Sequence, residues 1–303
     1  MRRARPHGAG VDGLIAAGLV ALVASVVAVV SGCAAPAGTA PSAAVVVESA
    51  PVVAAKSAVP PPELGPDLSG LPTVYHVNVI PGLPGMDGLT PLRNDDPASG
   101  VWRLARVIRD TAAYDAPDGS PLGTLRTHTF QALTTLPVVD ATDDGWLRVM
   151  VPARAALPSQ DPSLVNNRTA WIRERDTEAT GTDWRLTVDT AAQTLTIDDG
   201  TGPRVMPVIA TGSPSRPTPK GLQYVVGTFW EQPGTYTPLT ILLSSQSEAI
   251  DDYDRKTGTS ATAIHTTPLK SRGEVSNGCI RVSPEVLALL WKKVPAGALV
   301  EIR

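Results

Sequence analysis

Cysteine is scarce in this 303-residue chain: there are two, Cys33 and Cys279, too few and too far apart for a zinc-finger set. Histidine is nearly as rare, with four, at positions 7, 76, 128 and 265, and no two stand at the helical spacing of a metal-binding pair. No glycine-rich phosphate loop is present, since Gly200-Thr-Gly202 falls in a hairpin rather than a strand-to-helix turn. The acidic run Asp251-Asp252-Tyr253-Asp254 lacks the spaced glycine and closing glutamate of a calcium loop and reads as a solvated loop. A charge excess is missing too: 26 basic and 29 acidic residues leave a net charge of −3, which removes the electrostatic footprint of a nucleic-acid binder. The expectation is a protein with no cofactor, no metal and no nucleic-acid partner.

What is present is concentrated in Ile264 to Val282, IHTTPLKSRGEVSNGCIRV. His265 and Cys279 stand 14 positions apart (279 − 265), with Ser276, Asn277 and Gly278 before the cysteine and Arg281 after it. A thiol with an ordinary pKa near 8.5 is mostly protonated at neutral pH and attacks only as the thiolate. A histidine within reach can take that proton and later return it to a leaving group. Gly278 removes side-chain bulk beside the thiol, where a substrate must approach the backbone. The bland alternative is that Cys279 is a small buried hydrophobe and His265 a satisfied structural residue.

The longer pattern, I-H-T-T…S-N-G-C-I-R-V, resembles the active-site signature of the YkuD family, the L,D-transpeptidases of bacterial cell walls. Thr218-Pro219-Lys220-Gly221 resembles the T-P-x-G element of the same family, and Leu186–Asp189 with Gln193–Ile197 resembles its first hairpin. The resemblance spans residues 183–303 and implies a β-sandwich with one C-terminal helix. It also implies a cysteine acyl-enzyme. Cys279 would attack the third residue of a peptidoglycan tetrapeptide stem, and His265 would act as acid and then base. A stem amine would then complete a 3→3 cross-link. Backbone N–H groups at Gly278 and Cys279 would hold the oxyanion, and Ser276 would order the loop or the histidine. Arg281 would orient a substrate carboxylate or serve structure. Tyr224 would line the donor groove or belong to the core, and Asn277 would sit at the substrate. Two residues depart from the family pattern: Asn277 stands where many members have a second histidine, and Thr266 where a glycine often follows the first. The His-to-Cys loop is also short. Water or a protein amine as acceptor would give a carboxypeptidase or an attachment enzyme from the same residues. A third reading is a non-catalytic wall-binding lipoprotein.

Upstream, Arg2, Arg3 and Arg5 precede a charge-free apolar run, Leu14 to Val30, ending in Val30-Ser31-Gly32-Cys33. This resembles a lipoprotein signal peptide over residues 1–33 with Cys33 as the lipidated residue; an uncleaved signal anchor is the alternative. Both place the body outside the cytoplasm, membrane-anchored and facing the wall, with Cys279 as the one unlipidated thiol in an oxidising compartment. Residues 34–100, rich in Ala, Pro and Val, read as a flexible linker.

Residues 101–178 read as a small all-β module whose Gly145-Trp-Leu-Arg-Val and Ala170-Trp-Ile-Arg runs resemble a bacterial SH3-like barrel, interrupted by an insertion at 153–168. Trp102, Trp146 and Trp171 are either its core or a binding surface. From Trp184 onward the chain alternates as strands. One helix follows the cysteine, with Ser283 as N-cap, Pro284 at its first position and Pro295 and Gly297 beyond its end.

Overall fold

The computed structural model describes residues 65–230, 237, 239–252 and 259–303. The apolar leader, Cys33, the first part of the expected linker and the acidic run's second half, Tyr253 and Asp254, lie outside the described residues. What is described is mainly β, with one α-helix among the described residues.

The first module consists of β1 (Trp102–Val107), β2 (Thr111–Tyr114), β3 (Pro121–Leu125), β4 (His128–Thr129), β5 (Ala132–Leu133), β6 (Thr135–Ala141), β7 (Trp146–Val151), β8 (Arg168–Arg173) and β9 (Thr177–Thr182). Seven of these form one sheet in the order β3-β2-β8-β7-β6-β1-β9, and β4 and β5 form a separate small hairpin. The two tryptophan-bearing runs pair with each other as β7 and β8, antiparallel, Leu147 opposite Ile172. Trp146 and Trp171 are buried, so they are core; the Arg173 guanidinium lies 3.8 Å over the Trp146 ring. Trp102 is half-buried between Arg93 and Arg185.

Residues 65–100 do not form the flexible linker expected of them. Val74, Ile80 and Leu83 are buried in the first module's core, and the Val74 and Ile80 amides donate to the Thr124 and Arg154 carbonyls. Three anchors at irregular spacing give no periodic signal, but each removes a whole apolar side chain from water, about 1.5–3 kcal/mol apiece.

The second module has β10 (Arg185–Asp189), β11 (Thr194–Asp198), β12 (Arg204–Pro207), β13 (Ala210–Gly212), β14 (Gly221–Trp230), β15 (Leu239–Gln246), β16 (Ala261–His265), β17 (Gly273–Ser276), β18 (Ile280–Arg281), α1 (Pro284–Lys293) and β19 (Leu299–Ile302). They make a ten-stranded mixed sheet in the order β12-β11-β10-β19-β14-β15-β16-β18-β13-β17. The turn at 198–202 joins β11 to β12. The first and last strands, β10 and β19, lie side by side in parallel and close the module. Ser283 caps α1 by accepting the Val286 amide, and Val286, Leu287 and Leu290 press onto one sheet face. On that face Ile241, Ile264 and Ile280 are neighbours from three adjacent strands.

The opposite face meets the first module. Tyr224 and Val226 of β14 belong to the first module's core, and Leu222 and Leu242 pack against it. The insertion at 153–168 makes the polar half of the joint. Arg154 donates to the Asp251 carbonyl at 2.7 Å, Ser159 donates twice to the Asp251 carboxylate, and Asn166 pairs with both backbone groups of Gln246. The Asp251 carboxylate, part of the acidic run, is thereby held in a protein contact.

Candidate active site

His265 ends β16, and its neighbour β18 begins one residue after Cys279. The two strands run parallel with Ile264 opposite Ile280 and His265 opposite Arg281. Ile264 and Ile280 point into the core beneath α1. Side chains alternate along a strand, so His265 and Arg281 face the other way, toward the first module's side, and Cys279 directly precedes β18. The same register places Thr240 of β15 and Phe229 of β14 in one row with His265.

The histidine is held at both ends. Its carbonyl accepts the Val282 amide at 3.0 Å, and its Nδ1 lies 2.6 Å from the Thr266 carbonyl oxygen. A carbonyl can only accept, so Nδ1 carries the hydrogen and the Nε2 lone pair is left as the basic site. Burial lowers the pKa of His265 and the nearby Arg281 charge lowers it further, against an opposing contribution from the Thr266 hydrogen bond. The imidazole is therefore neutral at neutral pH, which is the form that can accept a thiol proton.

Cys279 is half-buried. The loop before it is fixed by Ser276, which is buried: its hydroxyl donates to the Cys279 carbonyl at 2.6 Å and accepts the Gly278 amide at 3.1 Å. Gly278 has φ +112°, and a Cβ there would touch only Pro217 O and Thr262 Cγ2 at ordinary contact distance. The glycine is thus required by backbone conformation, and the protein itself leaves room for a Cβ there. Asn277 accepts from Arg216 at 2.8 Å, tying the cysteine loop to the loop that precedes β14. Beneath them Gln223 donates to the Pro219 carbonyl and accepts from Ser245, which meets the Thr262 hydroxyl, so a buried polar chain joins the Thr218–Gly221 element to β16. No group of three or more potential metal ligands occurs among the described residues.

Residues 183–302 match the family model YkuD, the L,D-transpeptidase catalytic domain. This segment is similar to the YkuD domain. Similar solved structures include L,D-transpeptidase 1 of Mycobacterium tuberculosis, with 20% identity over 45% of this chain and 78% of that one and a TM-score of 0.31. An L,D-transpeptidase from Mycobacterium smegmatis has 17% identity over 55% and 99%, with a TM-score of 0.32. The catalytic domain of an E. faecium L,D-transpeptidase has 22% identity over 40% and 98%, with a TM-score of 0.29. No curated protein matches the chain.

Within residues 183–302, the structure places His265, Ser276, Asn277, Gly278, Cys279 and Arg281 on β16, β17, β18 and the loop between the last two. Two expected roles do not fit. Tyr224 is 1% exposed and packs in the core shared with the first module, so its ring cannot line a groove. The Gly278 amide is given to the Ser276 hydroxyl and is not aimed at an oxyanion. Arg281 is half-buried, and its Nε has no hydrogen-bond partner among the described residues. The Thr266 carbonyl, which fixes the histidine tautomer, is a backbone contribution that no side-chain motif announces.

Proposed function

We propose that the protein is a peptidoglycan L,D-transpeptidase working through a thioester on Cys279. The observation that carries this reading is His265, neutral, with Nδ1–H on the Thr266 carbonyl and Nε2 left basic, on the strand beside the one that begins directly after Cys279. His265 takes the thiol proton, and sulfur attacks the carbonyl carbon of the third stem residue. The bond to the terminal D-alanine nitrogen breaks, its amine receives the proton from His265, and a thioester remains. A stem amine then attacks the thioester, His265 accepts its proton, and the thiolate leaves as a 3→3 amide forms. Arg281 holds a substrate carboxylate; a half-buried guanidinium with an unpaired Nε supports that role. The leader and Cys33 would anchor the protein outside the cytoplasm, and the first module would be SH3-like.

The test is mass spectrometry of purified disaccharide-tetrapeptide incubated with the protein. A dimer lacking one D-alanine is expected, lost by more than about 10³-fold in Cys279→Ala. Tripeptide alone would mean water is the acceptor. An unchanged substrate with folded protein would overturn the reading.

A further inference from the structure

The chain contains two phenylalanines, Phe130 and Phe229, and they touch, with ring centroids 4.8 Å apart. They come from different modules. Phe229 lies on β14 in the row that runs through Thr240 and His265 to Arg281. Phe130 sits at the tip of the β4–β5 hairpin of the first module. That hairpin lies directly on the active-site face: a Cβ at Gly227 would come within 2.8 Å of the Ala132 Cβ, so Gly227 is the vacancy that admits it. Tyr75, from the segment that wraps the first module, meets Phe130 edge-on at 5.1 Å.

Two features of Phe130 are costly for the fold. It is 48% exposed, and its φ of +53° is a conformation that glycine, asparagine or aspartate adopt more cheaply. Beside it opens a cavity of about 160 Å³ lined by Val74, Tyr75, Leu125, His128 and Phe130, with Arg126 and Thr129 supplying polar groups. A half-exposed aromatic ring flanked by inclined rings and polar groups suits a sugar ring, which has an apolar face and a polar edge.

The spacing also fits. Phe229 is three strands from β18, which begins directly after Cys279, about 14 Å at 4.7–4.9 Å per strand. Three extended stem residues at about 3.3–3.6 Å each, plus the lactyl bridge, place the muramyl sugar roughly 12–15 Å from the attacked carbon.

Resting on the transpeptidase reading, we propose that Phe130, with Phe229 and Tyr75, is a sugar subsite for the donor substrate, contributed largely by the first module. The groove is therefore completed by both modules, and the enzyme selects stems still attached to their sugar.

The test compares kcat/KM on disaccharide-tetrapeptide and on the same tetrapeptide without sugar. The native chain should favour the disaccharide form by about tenfold, the size of one good aromatic contact. Phe130→Ala should reduce that preference to less than about twofold while leaving the bare tetrapeptide rate nearly unchanged, and Phe130→Trp should keep the preference. Equal losses on both substrates, or a preference untouched by Phe130→Ala, would overturn the proposal. A second measurement separates it from the transpeptidase reading. Calorimetric binding of disaccharide-tetrapeptide to the Cys279→Ala chain should weaken about tenfold when Phe130→Ala is added, whether or not the native chain turns the substrate over. Equal affinities would overturn the subsite.

Discussion

The two faces of the ten-stranded sheet are made by the same strands in alternation, yet they differ in nearly everything. On one, Ile241, Ile264 and Ile280 are fully buried and sealed by a helix that begins four residues after Ile280. On the other, the same row of strands carries Thr240, His265 and Arg281, and the cover over its β14–β15 end comes from the first module, which ends at Thr182. The apolar face fixes register. A slip of one residue would bury His265 among isoleucines and turn Ile264 outward, so the dry side sets the geometry of the reactive one.

The largest effect that would sharpen this contrast comes from two adjacent residues. Ile280→Ala removes a fully buried side chain and should cost about 2–5 kcal/mol, read as a lower urea midpoint. Cys279→Ala, next to it but half-buried, should leave the midpoint within about 1 kcal/mol while abolishing turnover. Similar destabilisation by both would break the contrast.

The second effect lies in the seam between the reactive face and its cover. The β15–β16 pairing shifts register between Leu242 and Gln246, and the Leu243 carbonyl receives Nε2–H of His76 at 2.7 Å. His76 is completely buried, and burial pushes its pKa down to about 4. The folded protein therefore leaves His76 neutral while the unfolded chain, with an ordinary value near 6.5, takes a proton. Stability from this group is full above about pH 6.5, falls as pH drops, and stops falling near pH 4, a loss of about 3 kcal/mol. Urea melts at pH 7, 5.5 and 4 should show that decline, and His76→Gln, which keeps a donor for Leu243, should flatten it. An unchanged slope in the variant would assign the acid sensitivity elsewhere.

The motif around His265 and Cys279 and the helix were legible in the sequence because both are local. A cysteine motif, an N-cap serine and a proline at the first helical turn need no tertiary information. The cover was not legible. Val74, Ile80 and Leu83 anchor residues 65–100 by isolated contacts with no repeating period, so composition alone read them as linker. Strands β13, β17 and β18 are four residues or shorter, below the length at which alternation is informative. Phe130 lies in a hairpin whose strands have two residues each, and nothing nearby in the chain indicates that it meets Phe229.

Tyr224 shows why a central strand misleads. Leu222 to Val226 is apolar at nearly every position, because β14 is covered on both faces, and such a run cannot say which side a residue takes. Its ring falls on the reactive face but at the end roofed by the first module. There its hydroxyl is buried with no hydrogen-bond partner among the described residues, and burial drives its pKa far above the phenol range. An unsatisfied buried hydroxyl costs about 1–3 kcal/mol, so Tyr224→Phe should be neutral or stabilising by up to about 1 kcal/mol and leave kcat/KM unchanged. The smallness of the effect is the point. A tenfold fall in kcat/KM at unchanged stability would mean the phenol reaches substrate. The first module would then have to lift from this end of the sheet during turnover, and the division between a sealed end and an open end of the reactive face would fail.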